Sequence, residues 1–165
     1  MKKQVTLGVQ GLTDLENYLK QYERAIKQTR KELVDELCVT GEALLAEYSP
    51  VEDHELKSST ASLVQHGPKT SRGVLFQAAP HAPFVEYGTG LVGSQSPHPD
   101  SSEYGWAYDT NSHGADGWYY YDPDQDRVRW TKGQVASCQH LKTAVDLRSV
   151  TGKVAKELLQ RGMKS

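Results

Sequence analysis

The sequence predicts an α+β domain in which a long N-terminal helix and a C-terminal helix pack on a mostly antiparallel sheet. Apolar residues recur at three- and four-residue steps from about Asp14 to Glu47, and again near the C-terminus, as in amphipathic helices. Residues 60–78 and 118–131 have the pattern of two β-hairpins. Between the hairpins, a long aromatic loop of about residues 90–117 keeps no regular period. We expect residues 1–165 to form a single domain.

Composition restricts the function classes. Net charge is −2 with both signs mixed, so there is no general basic excess to attract nucleic acid or an anionic membrane. Apolar residues make up only 37 % of the chain, but there are nine Tyr and three Trp, which suit half-buried surfaces and interfaces. No stretch approaches the ~20 apolar residues of a membrane span, and residues 1–8 lack a signal-length apolar run. We expect a soluble protein in which Cys38 and Cys138 are free thiols.

The N-terminal region predicts a strand and then one long helix. Val5, Leu7 and Val9 alternate with polar residues, which predicts a strand that Gly11 ends, and Thr13 or Asp14 could cap the helix that follows. The apolar stripe of the helix consists of Leu15, Leu19, Tyr22, Ile26, Leu33, Leu37, Leu44 and Tyr48. A helix of this length would be on the order of 50 Å long, more than a small domain needs to cover its own sheet. Two interpretations remain open: part of the stripe packs on another copy of the chain, or the helix bends within its own domain.

The rest of the chain alternates hairpins with connectors. After a charged connector at 51–57, Thr60–His66 and Gly73–Ala78 predict one hairpin, whose turn is Gly67–Arg72. A second hairpin is predicted over Trp118–Thr131. Its cross-strand pairs would come from Tyr119, Tyr121, Val128 and Trp130. A last helix is expected from near Ser137 to about Gln160.

A central motif, residues 79–90, separates the regular N-terminal part from the aromatic loop. Pro80 and Pro83 would stop the preceding strand, because proline lacks an N–H and fixes its own φ. Phe84, Val85 and Tyr87 give a short apolar patch that can dock a turn on a core. We therefore expect this motif to organise the fold around it.

A search for chemical motifs does not favour an enzyme. The six histidines are His54, His66, His81, His98, His113 and His140, and none has a recognised metal-binding spacing. The alternating acids of Asp122–Asp126 lack the central Gly and the final Glu of a calcium loop. His81 and Glu86 could form an acid–base pair, but no nucleophile is placed near them by sequence. We expect no catalytic, metal or cofactor residues.

The aromatic hairpin admits two interpretations. Residues 118–121, with Arg127 and Arg129 opposite, could form a platform on which bases or sugars stack. Alternatively, the aromatic residues cover the edge of the core and the arginines lie on the solvent side. The second interpretation is favoured, because nucleic-acid binding needs many basic residues around the aromatic side chains and few are present here.

An Ala-Pro-x-Ala-x-x-Val-Glu-x-Gly-Thr pattern at residues 79–89 supplies a family resemblance. The pattern resembles the "putative tail component" family of tailed phages. The resemblance extends to the long helix before it, to the Ser49-Pro50 pair that ends this helix, and to the segment from Gly117-Trp118 to Gly133-Gln134. These are neck or tail-completion proteins at the head–tail junction of long-tailed phages. The resemblance implies a structural, non-enzymatic role in ring assembly.

The candidate assembly residues lie in the central motif and in the loop after it. They are Pro80, Phe84, Glu86, Tyr87, Gly88, Thr89, Tyr104 and Trp106. The expected partners are further copies of the chain in a ring, other neck, connector or tail-terminator proteins, and passing DNA without sequence-specific binding. Proteins of this family can be monomers in solution and assemble only on their partners. A nucleic-acid- or carbohydrate-binding module is the alternative, and a metal-dependent hydrolase ranks third. The expected location is the virion, after synthesis in the bacterial cytoplasm.

Overall fold

The computed structural model describes residues 9–50, 54–108, 116–122 and 125–164. Within these residues the helices are α1 (Val9–Tyr48), α2 (His54–Ser58), α3 (Ala82–Tyr87), α4 (Gly90–Gln95) and α5 (Gln139–Gly162). The strands are β1 (Thr60–His66), β2 (Ser71–Gln77), β3 (Trp118–Asp122), β4 (Arg127–Thr131) and β5 (Gly133–Gln134). The predicted α+β class is confirmed. The paired strands form two separate two-stranded sheets, β1–β2 and β3–β4, rather than one larger sheet.

Helix α1 begins earlier than predicted. It starts at Val9, so the expected strand is wrong for residues 9–12, and residues 5–8 lie outside the described residues. Thr13 and Asp14 lie inside the helix and do not cap it. Three alternating apolar residues are a short signal, whereas the helical pattern continues uninterrupted through forty residues.

Several shorter elements also differ from the prediction. The expected connector at 51–57 contains α2, and the expected docking turn in the central motif is the helix α3. The loop of about residues 90–117 begins with α4, so it is not irregular throughout, and residues 109–115 lie outside the described residues. Helices of five or six residues have too few turns to show a three-to-four-residue period in sequence. The last helix is confirmed, from Gln139 to Gly162.

The described residues group into two compact units. The helical unit contains α1 up to Thr40, residues Ser62–Val74 and α5 from Asp146 onward. The central unit contains residues Gly41–Ala61 and Leu75–Val145. The long helices α1 and α5 each contribute residues to both units. That the whole chain folds as a single domain stays a prediction.

In the helical unit, α1 carries the turn of the first hairpin. The Arg30 guanidinium donates hydrogen bonds to the Gly67 carbonyl (2.9 Å), the Pro68 carbonyl (3.3 Å) and the Ser71 hydroxyl (3.2 Å). His66 contacts the same Ser71 hydroxyl through Nδ1 at 3.0 Å. One planar cation thus fixes the turn at residues 67–70. The predicted turn at 67–72 is wrong for Ser71 and Arg72, which belong to β2.

In the central unit, a part-buried network of amides and hydroxyls lies beside buried apolar residues. Leu45 and Leu56 are completely buried. Beside Leu56, the Gln77 amide donates to the hydroxyls of Ser49 (2.9 Å) and Thr60 (3.1 Å), and its oxygen accepts a 2.7 Å hydrogen bond from Gln139. These bonds offset the cost of burying polar groups.

The second predicted hairpin is confirmed. Tyr119 lies opposite Trp130, and Tyr121 lies opposite Val128, which confirms the predicted cross-strand pairs. These four side chains share one face, because neighbouring residues of a strand point to opposite faces. Both cysteines are free, as expected.

Two glycines in the helical unit provide a stability test. Gly152 lies inside α5, with nothing within 4 Å of an added Cβ, so Gly152→Ala should raise the free energy of unfolding by about 0.5–1 kcal/mol. At Gly73 an added methyl would collide with the Cys38 sulfur and lie 3.2 Å from Val34 Cγ1, so Gly73→Ala should lower it by about 1–3 kcal/mol. Urea denaturation of both variants measures the two effects. Equal effects of the same sign would contradict this packing.

Candidate functional site

The central segment, Pro80–Thr89, contains six of the eight candidate assembly residues. It consists mainly of α3, which has a proline in its first two positions, where the missing N–H costs no helical hydrogen bond. Ala82 and Val85 of α3 pack with Leu56 and Ala79 in a buried cluster. The prolines therefore end one element and begin the next.

The chain just before α5 is hydrogen-bonded along the central segment. Thr89 forms an antiparallel bridge with Gln134. The Ser137 amide donates to the Val85 carbonyl at 3.0 Å, and the Cys138 amide donates to the Glu86 carbonyl at 3.3 Å. This backbone pairing sets the position from which α5 starts.

Glu86 lies at the N-terminus of α5. Its carboxylate accepts backbone hydrogen bonds from His140 (2.9 Å to Oε2) and Leu141 (3.3 Å to Oε1). These amides belong to the first turn of α5, where N–H groups have no partner within the helix and the helix dipole attracts negative charge. Glu86 is only 5 % exposed, so it caps α5 from a residue far away in sequence.

Two imidazoles complete the surroundings of this carboxylate. His98 Nε2 lies 3.1 Å from Oε1, and His140 Nδ1 lies 3.3 Å from Oε2. The Asp100 amide donates to His98 Nδ1 at 3.0 Å, so Nδ1 is an acceptor and the proton of a neutral His98 is on Nε2, facing Glu86. The carboxylate of Glu86 thereby has four donors.

These donors decide the ionisation of Glu86. Burial alone would raise the pKa of its carboxyl, but the hydrogen bonds from the His140 side chain and backbone and from the Leu141 backbone outweigh burial. The pKa of Glu86 is therefore held below its ordinary value of 4.5. Glu86 is ionised at neutral pH and acts as the cap of α5.

Aromatic residues of the following loop pack on the central segment. Tyr87 stacks on Trp106 (5.1 Å between ring centroids) and meets Tyr104 edge-on (6.0 Å). The Trp106 indole N–H donates to the Gly88 carbonyl at 3.0 Å, and its ring meets Phe84 at 5.5 Å. This part of the aromatic loop therefore packs back on its own unit.

An open pocket of about 490 Å³ lies beside these groups. Its polar lining comprises Gln77, Glu86, Tyr87, His98, Asp100, Tyr104 and His140. A carboxylate between two imidazoles can exchange protons. Burial, together with the charge of Glu86, raises the pKa of the nearby Cys138 thiol. The Cys138 thiol is therefore a poor nucleophile. Among the described residues, no group of three or more His, Cys, Asp or Glu side chains could hold a metal ion.

The candidate assembly residues differ in accessibility. Pro80, Phe84 and Tyr104 are exposed. Tyr87, Thr89 and Trp106 are half-buried, while Glu86 and Gly88 are buried. Their role in assembly stays a prediction, with the exposed side chains available for direct contact and the buried ones shaping the segment. Sequence reasoning considered only His81 as a partner of Glu86 and missed His98 and His140, which are 12 and 54 residues away.

The β3–β4 hairpin presents a second surface, the hairpin face, formed by Tyr119, Tyr121, Val128 and Trp130. Their exposed fractions lie between 49 % and 74 %. The favoured interpretation, in which the aromatic residues cover the core edge, is wrong for this face. Arg129 projects from the opposite face and lies 3.2 Å from the buried Asp122 carboxylate. That ion pair links β3 to β4 on the face opposite the aromatic side chains.

Comparisons of the chain with family models, with curated proteins and with solved structures found no match. In the described parts of the chain, no helix has the length and apolar character needed to cross a bilayer.

Replacing the cap of α5 tests the role of Glu86. Glu86→Gln should lower the free energy of unfolding at pH 7 by about 1–3 kcal/mol, because buried donors then lose an anionic acceptor. Because folding lowers the pKa of Glu86, its ionised carboxylate contributes its full stabilisation above pH 4.5. That stabilisation is lost as the pH falls through the pKa of Glu86 in the folded state. The difference between wild type and variant should therefore shrink below pH 4.5.

Urea denaturation between pH 3.5 and pH 7 measures this dependence. The control is Glu23→Gln, since Glu23 is exposed and bonded only on the helix surface to Lys27. A Glu86→Gln deficit that stayed constant with pH would contradict the assigned ionisation.

Gly88 tests the junction between the central segment and the start of α5. Its φ is +80°, and an added methyl would lie 2.7 Å from the Gln134 carbonyl oxygen and 2.8 Å from the Ala136 nitrogen. Gly88→Ala should cost roughly 2–5 kcal/mol, from backbone strain plus overpacking. Gly105 has a φ of +63° with nothing within 4 Å, so Gly105→Ala should cost only about 1–2 kcal/mol, from strain alone. Thermal denaturation that ranked the two variants the other way would argue against the junction.

Proposed function

We propose that this chain is a structural protein of the head–tail junction of a long-tailed phage, a neck or tail-completion component that acts by ring assembly and partner docking. The proposal starts from the sequence pattern of residues 79–89 and its order with the flanking elements. Its expected site is the virion. Its partners would be further copies of the chain and neighbouring neck, connector or tail-terminator proteins.

The observation that carries an assembly role is the hairpin face. Three aromatic side chains and a valine lie side by side and remain exposed. A contiguous exposed apolar patch of this kind marks an interaction surface. Tyr and Trp are also the residues that most often supply binding energy at protein interfaces.

The hairpin face and the exposed residues of the central segment are separate parts of the same unit. Phe84 and Tyr104 are exposed beside a segment held by backbone hydrogen bonds and by the Glu86 cap. A ring needs two different complementary surfaces on each subunit, because its contacts are heterologous. These two surfaces are candidates for that pair.

The alternative is a binding module for nucleic acid or carbohydrate. The exposed rings favour it, and the Lys132 ammonium lies 5.6 Å from the centre of the Trp130 ring. Arg129 works against it, since it projects from the other face and is paired with Asp122. A DNA affinity that falls steeply with salt would favour this alternative.

The test of the junction role is deletion of the reading frame from its parent genome, followed by electron microscopy of the lysate. Filled heads separated from tails, or tails of abnormal length, would support the role. Wild-type protein supplied from a plasmid should restore infectious particles. Normal particles without the protein would rule out an essential structural role.

The same complementation assay tests the hairpin face. Tyr119→Ser combined with Trp130→Ser should fail to restore plaques, because it removes two neighbouring rings from that face. Tyr120→Ser is the matched control, since Tyr120 is a residue of the same strand on the opposite face. Circular dichroism should show that both variants are folded. Full complementation by the double variant would exclude the hairpin face as an assembly surface.

A further inference from the structure

Polar side chains of the helical unit meet at the end of the first hairpin. β1 ends at His66 and β2 begins at Ser71, so these two residues flank the turn, and α1 supplies Asp35. His66 Nδ1 lies 3.0 Å from the Ser71 hydroxyl, and His66 Nε2 lies 3.0 Å from Asp35 Oδ1. A hydroxyl, an imidazole and a carboxylate are therefore hydrogen-bonded in that order.

These contacts determine which nitrogen of His66 carries the proton. A carboxylate oxygen only accepts hydrogen bonds, so a neutral His66 has its proton on Nε2 and donates it to Asp35. Nδ1 then has a lone pair and accepts a hydrogen bond from the Ser71 hydroxyl. His66 is thus in the tautomer that can take the Ser71 proton, and Asp35 holds it in that tautomer.

This order of groups is that of a serine nucleophile and its general base. A serine hydroxyl is a weak nucleophile unless a neighbouring base takes its proton, and a third group that orients the base completes the set. In the common arrangement Nε2 faces the serine and Nδ1 faces the carboxylate. The ring of His66 is reversed, but a neutral imidazole offers one acceptor and one donor in either orientation.

Arg30 brings a positive charge to the same hydroxyl. Its Nε–H donates to Ser71 Oγ at 3.2 Å, and its two Nη groups donate to the carbonyls of Pro68 and Gly67. The cation stabilises the negative charge that develops on Oγ when the proton leaves. These bonds use three of the five N–H groups of a guanidinium, so donors remain for the oxyanion of an attacked carbonyl group.

The site is accessible from solvent. The side chain of His66 is 28 % exposed and that of Asp35 is 53 % exposed, while Ser71 is half-buried. A small electrophile can therefore reach Ser71 directly. Water can reach the same point, as the release of a bound acyl group requires.

We propose that Ser71, His66 and Asp35 form a site that takes the acyl group of small activated esters. Ser71 Oγ bonds to the carbonyl carbon of the ester, and its proton passes to His66 Nδ1. The bond from that carbon to the alcohol oxygen breaks, and His66 gives the proton to the departing alcohol. Water then attacks the same carbon, His66 takes a proton from the water and returns it to Ser71, and the acyl group leaves as a carboxylic acid.

This activity goes beyond the proposed junction role and does not depend on it. Acetylation of Ser71 by p-nitrophenyl acetate tests it directly, with the full chain quenched in acid and the acetyl groups mapped by peptide mass spectrometry. Ser71 should be acetylated about tenfold faster, or more, than Ser149. Ser149 is the internal control, because it is an exposed serine of the same unit whose hydroxyl donates to the Asp146 carbonyl. Equal rates at the two serines would overturn the proposal.

His66→Gln separates activation of Ser71 from the hydrogen bonds that hold the turn. A glutamine can still form hydrogen bonds with Ser71 and Asp35, but it takes up no proton near neutral pH. It should slow acetylation of Ser71 about tenfold or more and leave the rate at Ser149 unchanged. Circular dichroism should show that the variant is folded. An unchanged rate at Ser71 in the folded variant would contradict the role of His66 as the base.

Asp35 is a positioning residue, because it acts on Ser71 through His66. In nitrogen-15 NMR spectra of the neutral ring, wild-type His66 should carry its proton on Nε2. Asp35→Asn can offer an amide N–H to Nε2, so the proton should move to Nδ1 and acetylation of Ser71 should slow. Asp35→Glu keeps the carboxylate and should keep the proton on Nε2. A wild-type His66 with its proton on Nδ1 would overturn the proposal.

Discussion

The arrangement of the central unit depends on one carboxylate. Glu86 lies on a short helix whose own hydrogen bonds could not hold it in isolation, and its two oxygens bind the first turn of the 24-residue helix α5. Backbone bonds from the chain just before α5 to Val85 and Glu86 hold the same junction from the other side. Because the carboxylate is buried, these bonds are not weakened by competition with water. The first turn of α5, the pocket and the packed part of the aromatic loop all lie next to Glu86.

The α+β class and the longest elements were predictable because they rest on local periodicity. The stripe of α1 repeats many times, the aromatic residues of β3 and β4 favour strands, and the pairing of Tyr119 with Trp130 follows once the turn is placed. The helices α2, α3 and α4 were not predictable in the same way, since each spans less than two turns. The start of α1 was missed because Val9 and Leu12 fit either a strand or a helix, and the long helix outweighs three alternating residues.

The candidate site was predictable only in part. The central motif stood out through its prolines and glycines, which act locally on the backbone. The contacts of Glu86 with His98 and His140 depend on tertiary packing, and no pattern in sequence indicates them. The one available signal was a Gln139-His140 pair at the predicted start of a helix, where a side chain from elsewhere could reach free amides. The outward orientation of the hairpin face was missed, because an apolar alternation shows which residues share a face but not which face is covered.

The Glu86 cap has a consequence for the order in which the molecule folds. The bond from the His140 amide closes a span of 54 residues. Closing so long a loop costs entropy before any contact compensates for it, so this bond belongs to the late part of folding. The rest of α5 can form from local interactions, whereas its first turn is capped only after the central segment has packed against it. Protection of the His140 and Leu141 amide protons from exchange therefore reports the step at which the central unit closes.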